Sequence, residues 1–239
     1  MDFGPAEMMV VALAREIKPG DIVFHGLASP VPMVACNLAK ALHAPDAVYI
    51  NIAGGVDPQP VSLTVSTLDM NLAHQAVAAF GLDELFDLSG SGRLDIAFLS
   101  GVQISKKGEI NMSYIGGSFH KPRVRLPGGA GSASLTPTAR RVLLWKTRHD
   151  RGGLVEKVDF CTARGRVSKL VTPLCTFRME EGEFRLESIH PYSSLEEVRA
   201  NTGWSIEEEE VPFTPPPTEE ELAVLRRIDP GGVRYAEFK

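Results

Sequence analysis

From Leu126 the chain reads LPGGAGSAS, glycines and small residues set between an apolar run ending at Leu126 and another resuming at Val142. Residues this small serve a tight turn, and they also let another molecule approach the backbone closely. Gly26, Gly54-Gly55, Gly101 and Gly116-Gly117 each close a short apolar run as well. If those runs are parallel strands, their ends and Gly128-Gly129 meet on one rim, where open α/β sheets bind ligands.

Other chemical signatures are absent. There is no GxxxxGK[ST], HExxH or GxSxG, and the nearest approach to a dinucleotide fingerprint, Gly129-Ala130-Gly131-Ser132-Ala133, lacks its third glycine. The six histidines, at 25, 43, 74, 120, 149 and 190, have no metal-ligand spacing, so no metal is expected. His120, in GGSFHKPRVRLPGG, stands beside glycines and basic residues and is the most suggestive of them; a surface or core position is its plainer reading. Lys121, Arg123, Arg125, Arg140 and Arg141 suit phosphates or simply face water. The acids Glu207 to Glu210 read as a solvated face.

The elements that would position these residues alternate. Pro5 to Ile17 reads as a helix with proline in its first turn and Pro19-Gly20 as its stop. DIVFHG (21–26) is a strand, Val31 to Leu42 has helical apolar spacing, and AVYINIAGG (47–55) is a strand again. Helix–strand–helix–strand order predicts an open, mostly parallel sheet with covering helices, an α/β fold. LDIAFLSG (94–101), EINMSYIGG (109–117) and KVDFCT (157–162) are further strand candidates. Segments 166–172, 174–179 and 183–189 read as an antiparallel set with a Glu181-Gly182 hairpin turn. Ser194 and Thr218 begin two capped helices, and FTPPPT (213–218) between them is extended.

Composition bounds the function. The chain has 239 residues, 44% apolar and 23% charged, and reads as one domain, 1–239. A net charge of −5 gives no nucleic-acid footprint. Its apolar runs are too short for a membrane span, and the N-terminus lacks a basic secretory n-region. Cys36, Cys161 and Cys175 are odd in number and widely spaced, which places the chain in a reducing compartment, the cytoplasm.

Seven segments together resemble the β-type subunit of class I coenzyme A transferases, the glutaconate CoA-transferase group. They are PAEMMVVALAREIKPGDIVFHG, LAKALHAPDAVYI, FLSGVQISKKGEINMSYIGG, HKPRVRLPGGAG, HDRGGLVEKVDFCT, HPYSSLEEVRANTGW and PTEEELAVLRRIDPGG, in family order over nearly the whole chain. The resemblance implies the sugar-isomerase/CoA-transferase fold, an α-type partner in an α2β2 assembly, and an acyl-CoA thioester at the subunit junction. Coenzyme A is then a substrate, exchanged with a small carboxylic acid, and no cofactor is held permanently. It implies an oxyanion hole at Pro127 to Gly131, with Gly128, Gly129 and Ala130 as candidate donors. Small residues there fit the need for fixed N–H groups at about 2.7–3.1 Å from a carbonyl gaining charge.

Ordinary members carry a nucleophilic glutamate at a position that falls here near Ile52 or Ala53. Asn51-Ile52-Ala53-Gly54-Gly55 contains no acid, and Asp57 is the nearest carboxylate. The family's acid after the FLSG strand is Ser105 here, and the acidic end of its glycine loop is replaced by Ser132-Ala133. Three readings stay open: a CoA-transferase β subunit, a subunit of an acyl-CoA hydrolase or ring-opening enzyme with catalysis from the α partner, and a non-catalytic scaffold. Asn51, Gly54, Gly55, Gln103, His120 and Arg123 are the candidate substrate contacts.

Overall fold

The computed structural model describes residues 2–238. In chain order the first half contains α1 (Pro5–Ala14), β1 (Ile22–His25), α2 (Pro30–Leu42), β2 (Val48–Asn51), β3 (Gly55–Val56), β4 (Ala78–Ala79), α3 (Leu82–Gly90) and β5 (Ile96–Leu99). Short strands β6 (Gln103–Ser105), β7 (Ile110–Asn111), β8 (Tyr114–Gly117) and β9 (Pro122–Arg125) follow. Then come α4 (Ser132–Thr138), β10 (Arg141–Trp145), β11 (Leu154–Val155), β12 (Val167–Val171), β13 (Cys175–Glu180), β14 (Glu183–Ile189), α5 (Leu195–Asn201) and α6 (Glu219–Ile228).

Nine strands form one sheet in the order β14-β13-β12-β10-β5-β1-β2-β3-β4. The central five, β12 to β2 in that order, are parallel, and antiparallel pairs close both edges. The expected α/β sheet is therefore present, with a parallel centre and mixed edges. Strand pleating sends alternate side chains to opposite faces. Val23, Ile96, Phe98, Leu143 and Trp145 join one core beneath α1, α2 and α6, while Phe24, Ala97, Leu99, Val142 and Leu144 join the other beneath α3, α4 and α5. The chain runs from β1 outward to β2 on one side and later enters β5 on the other. That reversal makes a crevice beyond the carboxyl ends of β1 and β5.

Local chemistry explains the element ends. Glu7 Oε2 accepts from Gly4 N at 3.0 Å, which caps α1. This helix stops at Ala14 rather than Ile17, because Glu16 and Ile17 donate three residues back instead of four. Thr218 and Glu221 form a reciprocal capping box on α6, and Ser194 caps α5 by accepting from Glu197 N. Glu181 and Gly182 both have positive φ, +51° and +83°, so the expected hairpin between β13 and β14 has a turn of the hand that suits twisted strands.

Two strand expectations are corrected. Segment 109–117 is broken after Asn111, whose Oδ1 accepts from Ser113 N at 3.0 Å and turns the chain. Beyond the break β8 pairs with β9, away from the main sheet, so Gly116-Gly117 does not reach the expected rim. Segment 157–162 forms no strand: Asp159 N donates to Gln103 Oε1 at 3.1 Å, and Thr162 N to Ile110 O at 2.8 Å, in an irregular path.

Candidate active site

The crevice at the switch point is a cavity of about 680 Å³. Carboxyl ends of four parallel strands supply its floor: Phe24 and Gly26 after β1, Ile52 after β2, Leu99 to Gly101 after β5, and Trp145-Lys146 after β10. Leu85 and Phe86 of α3 form a wall, and Pro127 to Ser132 form the rim. Among the described residues, three buried polar side-chain atoms have no hydrogen-bond partner within the chain, and two of them, Ser132 Oγ and Trp145 Nε1, belong to cavity residues. Buried polar groups are nearly always partnered, so orphans on a cavity wall are positions for a bound water or a ligand acceptor.

The glycine loop has a defined geometry. Gly128, at φ +97°, donates its amide to Met112 O at 2.8 Å. That bond anchors the loop and engages the Gly128 amide within the chain. Gly129 O accepts from Ser132 N at 2.8 Å, and Gly131 O accepts from Leu135 N at 2.9 Å, which turns the chain into α4. The amides of Gly129, Ala130 and Gly131 have no acceptor among the described residues. Ala130 sits at φ +44°, a region costly for a side-chain-bearing residue. A Cβ on Gly129 would lie 2.6 Å from both Ser132 Oγ and Thr162 Cγ2, so the loop's position requires glycine there.

Two charged side chains line this mostly apolar space. Lys146 Nζ donates to Gly101 O at 3.1 Å and Val102 O at 3.0 Å; burial lowers its pKa, with Asp150 pulling the other way. Glu237 follows the 3-10 turn Val233–Tyr235, and burial pushes its carboxyl up to about 7 against the opposing charge of Lys146. Neither residue carries a sequence motif. Lys146 follows the apolar run of β10, a strand-end position that the alternating pattern could have singled out; Glu237 had no such signal.

Ser29 also lines the cavity, with His25 Nδ1 2.8 Å from its Oγ and Tyr49 OH 2.6 Å from His25 Nε2. The chain of protons runs the wrong way for a nucleophile. Ser29 donates to Gly26 O, which makes His25 Nδ1 the donor toward Ser29 and Nε2 the acceptor from Tyr49. Burial holds His25 down to about 4, so the neutral ring braces the β1–α2 turn.

Of the sequence candidates, Ile52 lines the cavity and Ala53 and Gly54 lie in an adjoining surface depression. Asn51 is buried and structural: Nδ2 donates to Leu72 O at 2.8 Å and Oδ1 accepts from Gly55 N at 3.0 Å. Gly55 is packed inside β3, where a Cβ would meet Ala73 Cα at 3.1 Å. Gln103 is 6% exposed and its Oε1 is held by Asn111 and Asp159, so it is a core brace rather than a substrate contact. His120 and Arg123 are exposed on the β8–β9 hairpin and outside the cavity lining. Asp57 is turned away too: it ion-pairs with Lys40 at 2.7 Å and accepts from Tyr49 N at 2.9 Å.

The fold and site together define the class: an α/β protein with a cavity at the switch point of a parallel-centred sheet, rimmed by unpaired backbone amides. The chain belongs to the coenzyme A transferase family, whose model matches residues 6–201. It is similar to the B subunit of 3-oxoadipate CoA-transferase from Pseudomonas knackmussii, 36% identical over 93% of this chain and 92% of that one. It is also similar to the B subunit of glutaconate CoA-transferase from Acidaminococcus fermentans, 27% identical over 94% and 92% of the two chains. Among solved structures, the decarboxylase AibA/AibB superposes with a TM-score of 0.93 at 35% identity, covering 98% of each chain. Within the family this chain is of the β type.

Proposed function

We propose that the chain works with an α-type subunit as an enzyme on an acyl-CoA thioester, moving CoA to a small carboxylic acid as the names of its curated relatives describe. The observation that carries this reading is the set of unpaired amides of Gly129 and Ala130 beside the orphan Ser132 Oγ at the cavity rim. A thioester carbonyl gains negative charge when attacked, and N–H donors fixed beforehand stabilise that charge without reorganisation. Coenzyme A is substrate rather than resident cofactor. The acyl group lies against Phe24, Ile52, Leu85 and Leu99, an apolar lining that suits a hydrocarbon portion.

Ile52 at the end of β2 favours a second reading. No carboxylate is aimed into the cavity from residues 51–57, so the attacking group comes from the partner, from water, or from elsewhere in this chain. Cleavage of the thioester without an acceptor acid is the reaction that follows if water attacks.

An α2β2 complex in the cytoplasm is the assembly proposed, consistent with the free Cys36, Cys161 and Cys175. Co-expression with the α-type subunit tests the proposal. The purified complex is expected to consume an acyl-CoA, and its scattering mass to equal two copies of each chain. A complex that binds no acyl-CoA contradicts the reading.

A further inference from the structure

The proposed CoA transfer gives no role to Glu237. Glu237 is the only carboxylate among the described residues on the lining, and it has no hydrogen-bond or ion-pair partner among them. Lys146 is the only other charged group on the lining among the described residues. Its Nζ is anchored on the Gly101 and Val102 carbonyls, so it acts on Glu237 through space, while Asp150 and Arg148 act on Lys146 in turn. A carboxylate half withdrawn from water without a partner is costly to hold and is characteristic of sites that move protons.

We propose that Glu237 is the general base of an acyl-CoA hydrolase activity in this cavity. Its carboxylate takes a proton from a water molecule as the water oxygen bonds to the thioester carbonyl carbon, and the resulting oxyanion is held by the Gly129 and Ala130 amides. The intermediate collapses by breaking the C–S bond. Glu237 then passes its proton to the departing sulfur, so one water is consumed, a free acid and CoA thiol leave, and the carboxylate is restored. The inference rests on the reading of the cavity as a thioester site and deepens its water-attack form by naming the base. Burial that brings the carboxyl to about 7 lets it give and take a proton at neutral pH.

The test uses the co-purified complex with acetyl-CoA and glutaryl-CoA and no acceptor acid. Thiol release is followed with a thiol reagent, and acyl-CoA binding to the wild-type complex is measured by calorimetry. Thiol release is expected to rise with pH through a limb near 7. Glu237→Gln is expected to lower it by about 100-fold or more and to flatten the limb. Lys146→Met should move the limb to higher pH, because the charge opposing protonation is gone. Release at the wild-type rate and with the same limb in Glu237→Gln overturns this inference alone, as does a wild-type complex that binds acyl-CoA and releases no thiol. A wild-type complex that does not bind acyl-CoA overturns the thioester reading itself.

Discussion

Gly129 joins three constraints at one Cα: an amide open to a ligand, a carbonyl that starts α4, and no room for a side chain. Gly129→Val must displace Ser132 or Thr162, and either movement carries the amide away from its aim. Turnover of acyl-CoA should fall by about 100-fold or more, comparable to loss of an oxyanion donor. Equal turnover in a folded Gly129→Val complex would contradict the role.

Buried histidines make a second prediction at this scale. His25, His149 and His190 are all held down to about 4 by burial, from an ordinary value of 6.5. Thr172 and Thr202 bond His149, Thr214 and the Thr172 carbonyl bond His190, and Asp150 partly offsets the burial of His149. As pH falls below 6.5 the unfolded chain takes up protons that the folded one refuses. Stability from these groups is therefore complete above about pH 6.5 and lost toward pH 4. Glu237 runs the other way, since its raised pKa favours the folded state below about 7. Three imidazoles outweigh one carboxyl, so the melting temperature should drop between pH 6.5 and 4.5, and a flat profile there would be inconsistent with neutral buried rings.

Among the elements, the β7–β8 break is held by one side chain. Asn111 is fully buried; its Nδ2 donates to Gln103 Oε1 and Tyr114 O, both at 2.7 Å, and its Oδ1 accepts from Ser113 N. Asn111→Ala leaves Gln103 Oε1 short of a donor and removes the turn, which should cost about 2–4 kcal/mol in chemical denaturation. A change under about 0.5 kcal/mol would mean the turn holds without it.

That break also separates what the sequence made legible from what it hid. Parallel strands β1, β2 and β5, helices α2 and α6, and the β12–β14 antiparallel set follow directly from apolar spacing and turn residues. Segment 109–117 has the same apolar content, yet a side-chain hydrogen bond to the backbone overrides it. Gly128 was legible as part of a loop near backbone chemistry, but not as the amide already given to Met112. The glycines beside His120 and Arg123 serve a surface hairpin, a placement that the sequence pattern did not reveal. Glu237 was invisible because its meaning comes from a cavity it shares with Lys146, nearly a hundred residues earlier in the chain.

On the scale of the whole molecule, the cavity opens onto an apolar surface. Leu27, Leu82 and Phe86 at its mouth are exposed, and Val61, Val65, Leu68, Met70 and Val77 are exposed on the segment between β3 and β4. Large apolar side chains exposed together along one segment suit a protein–protein contact. Both of these relatives are named as one subunit of an enzyme, which argues for the α-type subunit as the occupant of such a surface. Val65→Asp with Met70→Asp should reduce co-purification of the partner while this chain stays folded, and unchanged co-purification would place the partner elsewhere.

The central claim is that an acyl-CoA thioester is activated at the Gly129–Ala130 amides. Its most direct test is loss of the thioester absorbance by the co-purified complex, with and without an acceptor acid, for wild type and Gly129→Val side by side. Consumption by wild type and its near disappearance in an assembled, folded Gly129→Val complex is the predicted result. Consumption at the same rate by both would contradict the account.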